Sequence, residues 1–345
     1  MSFPRVATGT LAAAACAVVL ARAQVGEVRT VAPDVYFHEG DIKGKGHCNN
    51  GWVVFQDYVL VIDANFPSGA REIIPKIRAL TSKPIRFAFD THHHGDHAYG
   101  NQVWVDEGAI PVAHTGVVEE MKKYEPALFG GGPGRWEDTA KQREDVRTSK
   151  LKAPSVLFPD TLIFDDGVHR VELHHFGVAH THGDGFAWLP KEKILFTGDA
   201  CVNGPYNYVG DGNIGEWIRT LDRARGLGAQ VVGPGHGPLG DATVLADQQL
   251  FFQELYRVVT AAAKGKSPAQ VQETVVGMRA ELGANARIAR YLGDGFAGQV
   301  AKAYNEITGQ SFPDRRAEAD AERMHRGSHH DDGSPDETAH AGHPN

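Results

Sequence analysis

The chain has 345 residues, 41% hydrophobic and 23% charged, and its 35 basic against 43 acidic residues give a net charge of −8. That length suits one large domain or two small ones, with ample apolar material for a core. The acidic balance offers no basic surface of the kind that grips nucleic acid.

Residues 1–23 read as an export signal. Arg5 supplies a positive start, residues 11–20 form an apolar stretch too short to span a bilayer, and Ala21-Arg22-Ala23 is a small-x-small cleavage site. The mature chain is then expected in the periplasm or outside the cell. A lipid anchor on Cys16 is disfavoured, because Ala13 stands where such a site wants a leucine-like residue. Residues 53–62 have hairpin character with a turn near Gln56-Asp57, and Asp63 ends the second run. Ser68 is a candidate cap for a helix with Ile73, Ile77 and Leu80 on one face. Residues 84–89 are short, apolar and bounded by Pro84, which predicts a buried strand.

Residues 115–150 are charged and helix-like, apart from the glycine run at 130–134. That run lacks the Gly-Lys-Ser/Thr ending of a phosphate loop and reads as a linker, or else a lid. Residues 156–173 predict paired strands turning at Asp166-Gly167. Residues 245–308 predict helices, with Leu250, Leu255 and Val258 among the apolar positions. Beyond residue 313 the chain is charged and rich in glycine and histidine, so it is expected to be disordered. Its His325, His329, His330, His340 and His343 either scavenge zinc or merely solvate the tail. The expected division is a signal over 1–23, a main domain over 24–245, a helical extension over 246–312 and the tail over 313–345.

One heptapeptide concentrates the chemistry: Thr91-His92-His93-His94-Gly95-Asp96-His97. Imidazole and carboxylate are the ligands zinc prefers, and a tight loop after a strand can aim several at one point. Three later segments repeat the pattern of an apolar run, a glycine-rich turn and a metal-competent residue. They are Phe176-Gly177-Val178-Ala179-His180, Ile194-Leu195-Phe196-Thr197-Gly198-Asp199 and Val231-Val232-Gly233-Pro234-Gly235-His236. Each ligand candidate is expected at a strand end.

In this order the motifs resemble those of the metallo-β-lactamase superfamily, across roughly residues 25 to 245. The resemblance implies an α/β fold, the four-layer αββα sandwich, and a centre of two zinc ions. It implies that His92, His94 and His180 hold one ion, that Asp96, His97 and His236 hold the other, and that Asp199 bridges them. It implies catalysis by a hydroxide bridging the metals, with Asp96 orienting it or carrying its proton. His93 is expected to point away, and the Ala-His-Thr-x-Gly-Asp frame favours His180 over His182. Asp63 is either an orienting partner of a ligand histidine or a plain turn former. Cys48 and Cys201 can pair if the fold brings them together, and Cys201 is read as a buried small residue more readily than as a thiolate near the metal.

The substrate is less legible. Glyoxalase-II-like members carry a basic Gly-Cys-Gly-Arg-like segment after the bridging aspartate, where this chain has Asn203-Gly204-Pro205-Tyr206-Asn207-Tyr208. The best-known β-lactamase subclass has cysteine in place of Asp199 and lysine in place of Val202. Tyr206, Asn207 and Tyr208 are therefore expected to line a pocket for a modest, partly aromatic small molecule. The implied reaction is hydrolysis of an ester, thioester, lactone or amide, with β-lactam hydrolysis as the alternative. An iron-dependent, persulfide-dioxygenase-like oxidoreductase would leave the second site empty, whereas His97 and His236 are both present. A non-catalytic zinc-binding accessory protein has no need of a bridging carboxylate.

Overall fold

The runs Val59-Leu60-Val61-Ile62 and Ile194-Leu195-Phe196 are apolar without alternation, the mark of strands covered on both faces. The computed structural model, which describes residues 24–312, covers them so. The first sheet holds, in chain order, β1 (Val28–Ala32), β2 (Val35–His38), β3 (Asn50–Val54), β4 (Val59–Ile62), β5 (Ile85–Asp90), β6 (Ile110–His114) and β7 (Val156–Phe158). β1 to β4 form an antiparallel meander, and β4 to β7 are parallel. The second sheet has the order β12-β11-β10-β9-β8, built from β8 (Thr161–Asp165), β9 (Arg170–His174), β10 (Phe186–Leu189), β11 (Ile194–Gly198) and β12 (Val231–Pro234).

Three apolar clusters define four layers. Phe37, Val53, Leu60 and Phe89 of the first sheet meet Leu173, Ala187, Leu189 and Phe196 of the second. Outside the first sheet, Trp52, Val61 and Ala88 pack on α1 (Pro67–Leu80) and, beyond the short α2 (Gly95–Ala98), on α3 (Asn101–Asp106). α4 (Thr115–Tyr124), α5 (Arg135–Gln142) and α6 (Glu144–Arg147) follow β6. Outside the second sheet, Phe186, Trp188, Leu195 and Val232 pack on α7 (Ile214–Arg225), α8 (Ala242–Ala263), α9 (Pro268–Gln272), α10 (Val275–Gly283) and α11 (Phe296–Thr308). This is the expected αββα sandwich.

The hairpin at 53–62 forms, with Val54 opposite Val59, and so does the turn at Asp166-Gly167, with Asp165 opposite Arg170. Five details differ from expectation. α1 starts with Pro67 at its first position, so Ser68 lies inside the helix and gives its hydroxyl to Asp145 instead of capping. Leu80 is exposed, leaving Ile73 and Ile77 as the buried face. β7 joins the first sheet, so only β8 and β9 form the hairpin. Phe176–Ala179 is loop, because Gly177 at φ +119° takes the chain out of the ladder that ends at His174. The boundary drawn at 245 falls inside α8, and the C-terminal helices are the outer layer of the sandwich rather than an appendage. The expectations for residues 1–23 and 313–345 lie outside the described residues.

Candidate metal centre

The predicted ligands stand at one edge of the sandwich, on loops and, for Asp96 and His97, in the short α2. Asp63 follows β4, the heptapeptide follows β5 and runs into α2, and His180 sits between β9 and β10. Asp199 follows β11 at once, and His236 follows β12. Parallel neighbours β4/β5 and β11/β12 discharge their loops side by side, which brings residues distant in the chain together. Two glycines make the convergence feasible. Gly198 lies at φ +50°, and a Cβ there would fall 2.1 Å from Thr91 Oγ1. A Cβ on Gly235 would fall 2.0 Å from Asp199 Oδ1.

Three sets of ligating atoms each lie within 4.8 Å: His92, His94 and His180; Asp96, His97 and His236; and His92, His97 and Asp199. Asp199 reaches both sides, with Oδ2 3.6 Å from His180 Nε2 and 3.3 Å from His236 Nε2, and Oδ1 3.4 Å from His97 Nε2. Asp96 Oδ2 lies 3.1 Å from His236 Nε2 and 3.4 Å from His97 Nε2. The histidines are buried, whereas the Asp96 side chain keeps 21% of its surface exposed and marks the open side of the cluster.

The outward nitrogens of His92, His94, His97 and His180 are held from behind, which fixes the tautomers. His180 Nδ1 donates to the Tyr208 carbonyl at 2.9 Å, and His94 Nε2 donates to Asp211 Oδ2 at 2.9 Å. Asp63 serves both halves of the cluster. Its Oδ2 lies 3.0 Å from His97 Nδ1, and its Oδ1 accepts from the Thr91 hydroxyl at 2.7 Å. The Thr91 oxygen is thereby left to accept from His92 Nδ1 at 3.1 Å. Asp63 itself sits at φ +67°, a conformation that aspartate and asparagine tolerate better than other side chains.

The inward atoms suit a cation. His94 Nδ1 faces His180 Nε2 at 2.8 Å. With both outward nitrogens donating, two lone pairs confront each other, and only a cation between them relieves that. His92 Nε2 and Asp199 Oδ1 are buried without a hydrogen-bond partner. Electrostatics agrees. Burial disfavours charge here, yet the carboxylates of Asp63, Asp96 and Asp199 around His97 hold its pKa well above the usual value, and Asp199 and Asp96 push His236 up to about 9. Against the same burial, the His97 and His236 imidazoles hold Asp96 and Asp199 well below the usual carboxylate range. Hard and borderline donors of this kind match zinc.

Other expectations are corrected. His93 does not simply point away: it is buried, stacks on Tyr124 with ring centroids 5.2 Å apart, and brings Nε2 within 3.8 Å of Asp211. His182 is exposed and His180 buried, as the frame suggested. Cys48 and Cys201 are separate buried thiols. Cys48, not Cys201, borders the ligands, within 4.8 Å of donors on Asp63 and His97. Burial pushes its thiol up, so it stays protonated. Tyr206 and Tyr208 do flank the centre, with ring centroids 5.7 Å from those of His236 and His94 respectively. Asn207 is buried elsewhere: its carbonyl accepts from Gln299 of α11 at 2.7 Å, tying the loop to the C-terminal helices. Asp211 and Arg135 carried no motif, although Asp211 pairs with a predicted ligand.

The sequence matches the metallo-beta-lactamase superfamily over residues 44–236. A metallo-beta-lactamase from Pontibacter korlensis superposes with a TM-score of 0.53 at 21% identity, over 66% of this chain and 98% of that one. TMB-1 gives 0.52 at 20% identity over 66% and 97%, and the DIM-1 metallo-beta-lactamase gives 0.52 at 20% over 68% and 99%. Identities this low speak for the fold alone. Motif order, two-sheet architecture and the convergence of histidines and aspartates at one edge agree with the match, and the chain belongs to the metallo-beta-lactamase superfamily.

Proposed function

We propose that the chain is a dizinc hydrolase of esters, thioesters, lactones or amides. The carrying observation is the convergence of seven donor residues into three overlapping sets within 4.8 Å, with lone pairs turned inward. On this reading His92, His94 and His180 hold one ion, Asp96, His97 and His236 hold the second, and Asp199 joins them. Zinc bound there supplies an acidified water as nucleophile and polarises the scissile carbonyl. Asp96, the one partly exposed carboxylate of the cluster, orients the attacking water and accepts its proton. Tyr206 and Tyr208 give the substrate an aromatic wall, and burial of the histidines keeps bulk water from the ligands.

β-Lactams are expected to be secondary substrates. Val202 supplies no cation for their carboxylate, and its backbone N–H donates to Gln248 within the core. Of the insert's basic residues, Arg135 is committed to Asp211, and Lys141 pairs with Asp138 at 2.7 Å on the surface. A missing charge-assisted contact is worth about 1.5–3 kcal/mol. The export reading of residues 1–23 makes a periplasmic or secreted setting part of this proposal, with a small molecule as the partner.

Metal analysis of the full chain beside a variant with His325, His329, His330, His340 and His343 changed to glutamine tests the centre. Two zinc ions surviving in the variant is the expected result; one ion, or iron in preference, overturns it. A panel of aryl esters, lactones, thioesters, penicillins and carbapenems tests the substrate class. A kcat/KM for any β-lactam above all the acyl substrates refutes it.

A further inference from the structure

We propose that the glycine-bearing insert between α4 and α6 is a working part of the metal centre, coupled to it through an Arg135–Asp211–His94 relay. Asp211 is almost buried and receives donors from two other segments of the chain. His94 Nε2 donates to its Oδ2 at 2.9 Å, while Arg135 Nη1 and Nη2 reach Oδ2 and Oδ1 at 2.6 and 3.0 Å as a two-pronged fork. His93 Nε2 stands 3.8 Å away. The guanidinium of Arg135 also lies 3.5 Å above the ring of Tyr124, and that ring is the one on which His93 stacks.

Arg135 is the first residue of α5, directly after the glycine run. A second clasp holds the same turn. The Trp136 backbone N–H donates to Glu125 Oε2 at 2.8 Å, and Glu125 Oε1 accepts from the hydroxyl of Tyr99, two residues past His97. The head of α5 thus touches the metal loop from two sides. Because Gly130 lies at φ +82° and a Cβ on it or on Gly132 would meet nothing within 4 Å, the run itself is unpacked there. The contacts at Arg135 and Trp136 therefore fix the side of the insert that faces the metal centre, while Leu128 and Arg143 anchor its two ends elsewhere.

The physical role follows from charge and tautomer. A carboxylate behind His94 fixes hydrogen on Nε2 and leaves Nδ1 as the donor aimed at the cluster. A buried carboxylate facing only a neutral imidazole is poorly compensated, and the Arg135 fork supplies the missing charge with fixed geometry. Asp211 and Arg135 are positioning residues: displacing the insert removes the fork, frees Asp211 to turn, and loosens His94. The coupling is reciprocal, so a metal at His94 also steadies the insert.

This rests on the zinc reading of His94, and the test separates the two. Stepwise affinity for Co(II) and Zn(II), by chelator competition, and the Co(II) absorption spectrum are recorded for full-length wild type, Asp211→Ala, Asp211→Asn, Arg135→Gln and Arg135→Lys. Asp211→Ala is expected to weaken one of the two binding steps by roughly 10–100-fold and to change the spectrum. Asp211→Asn restores part of the loss. Arg135→Gln weakens the same step several-fold, Arg135→Lys less, and Arg135→Gln adds nothing in an Asp211→Ala background. Zinc is also expected to slow amide exchange across residues 135–142 in wild type and not in Arg135→Gln. A wild type that binds two ions, with Arg135→Gln matching it at both steps, overturns the coupling alone. Additive losses do the same. A wild type that binds no ion overturns the zinc reading and the coupling with it.

Discussion

Asp63→Asn isolates orientation from folding better than any other single change. Asparagine tolerates the left-handed φ of +67° found at this position, and its amide oxygen can still accept from Thr91, whose N–H and hydroxyl lie 3.0 and 2.7 Å from Asp63 Oδ1. What changes is the face toward His97 Nδ1, now 3.0 Å from a carboxylate oxygen. An NH2 there obliges Nδ1 to accept, which moves the ring hydrogen to Nε2, the nitrogen facing Asp96, Asp199 and His236. Loss of such an outer partner typically costs 10–100-fold in metal affinity, about 1.4–2.7 kcal/mol. At fixed zinc concentration the metal-dependent stabilisation falls by that amount, a drop in Tm of roughly 3–10 °C for a domain of this size. The assay is thermal unfolding with and without zinc, beside chelator competition. Metal-free Asp63→Asn is expected to lose some stability as well, because Asp63 is one of the carboxylates that favour the proton on His97, but less than the zinc-loaded variant loses. A variant that binds both ions like wild type, or that loses as much Tm without zinc as with it, refutes the orientation argument. Asp63→Ala is the contrasting control, since it strands two Thr91 donors at about 1–3 kcal/mol each.

Asp96→Ala is expected to abolish turnover with the fold intact by circular dichroism, since its side chain keeps 21% of its surface exposed. His93→Ala, which the sequence alone marks as harmless, is expected to lower stability by about 1 kcal/mol through the lost stack on Tyr124, with both metals retained on analysis. Gly235→Ala forces a Cβ to within 2.0 Å of Asp199 Oδ1 and is expected to cut kcat/KM by about 100-fold with reduced metal content. The metal-free chain should also lose stability as pH rises. The pKa of His236 is raised to about 9 and that of His97 also lies above the usual value. The folded state therefore binds more protons than the unfolded one between about 6.5 and 9. The contribution of His236 is full below about 6.5 and gone above about 9. Urea midpoints taken without metal should therefore fall between roughly pH 6 and 9.5, and His236→Gln should flatten the slope.

The candidate ligands were legible because metal-binding chemistry calls for rare residue types at high local density, and His92 to His97 supply them within seven positions. Asp63 was visible as the end of an apolar run, although its choice of partner was not. Arg135 was legible only as a basic residue of the insert, and its partnership with Asp211 was not, for a physical reason: their pairing joins residues 76 apart, and the bond from Asp211 to His94 joins residues 117 apart, with no spacing rule to link them. Asn207 misled because polar residues in a loop beside an active edge look like lining, yet its backbone and side chain are spent on Gln299 and Tyr291. The apolar stretch Phe176–Ala179 counterfeited a strand because hydrophobicity reports burial, while Gly177 decides the backbone. The helical boundary failed because α8 packs into the same cluster as β10 and β11, so no composition change marks it.

The charges around the centre fall into two tiers with different partners. Asp63 and Asp211 stand behind the histidines. Thr91 and His97 serve the first, and Arg135 and His94 serve the second, so both are compensated within the protein. Asp96 and Asp199 stand in front and face imidazoles, whose raised affinity for protons is the measure of the cation they lack. Without metal, the raised pKa values of His97 and His236 favour a proton on each ring, and on the proposed function an incoming ion would displace them. Metal binding to these residues therefore releases protons near neutral pH and tightens as pH rises. The outer carboxylates fix which nitrogen of His97 and of His94 faces the cluster, and they do so from separate segments of the chain that only the completed sandwich brings to one edge.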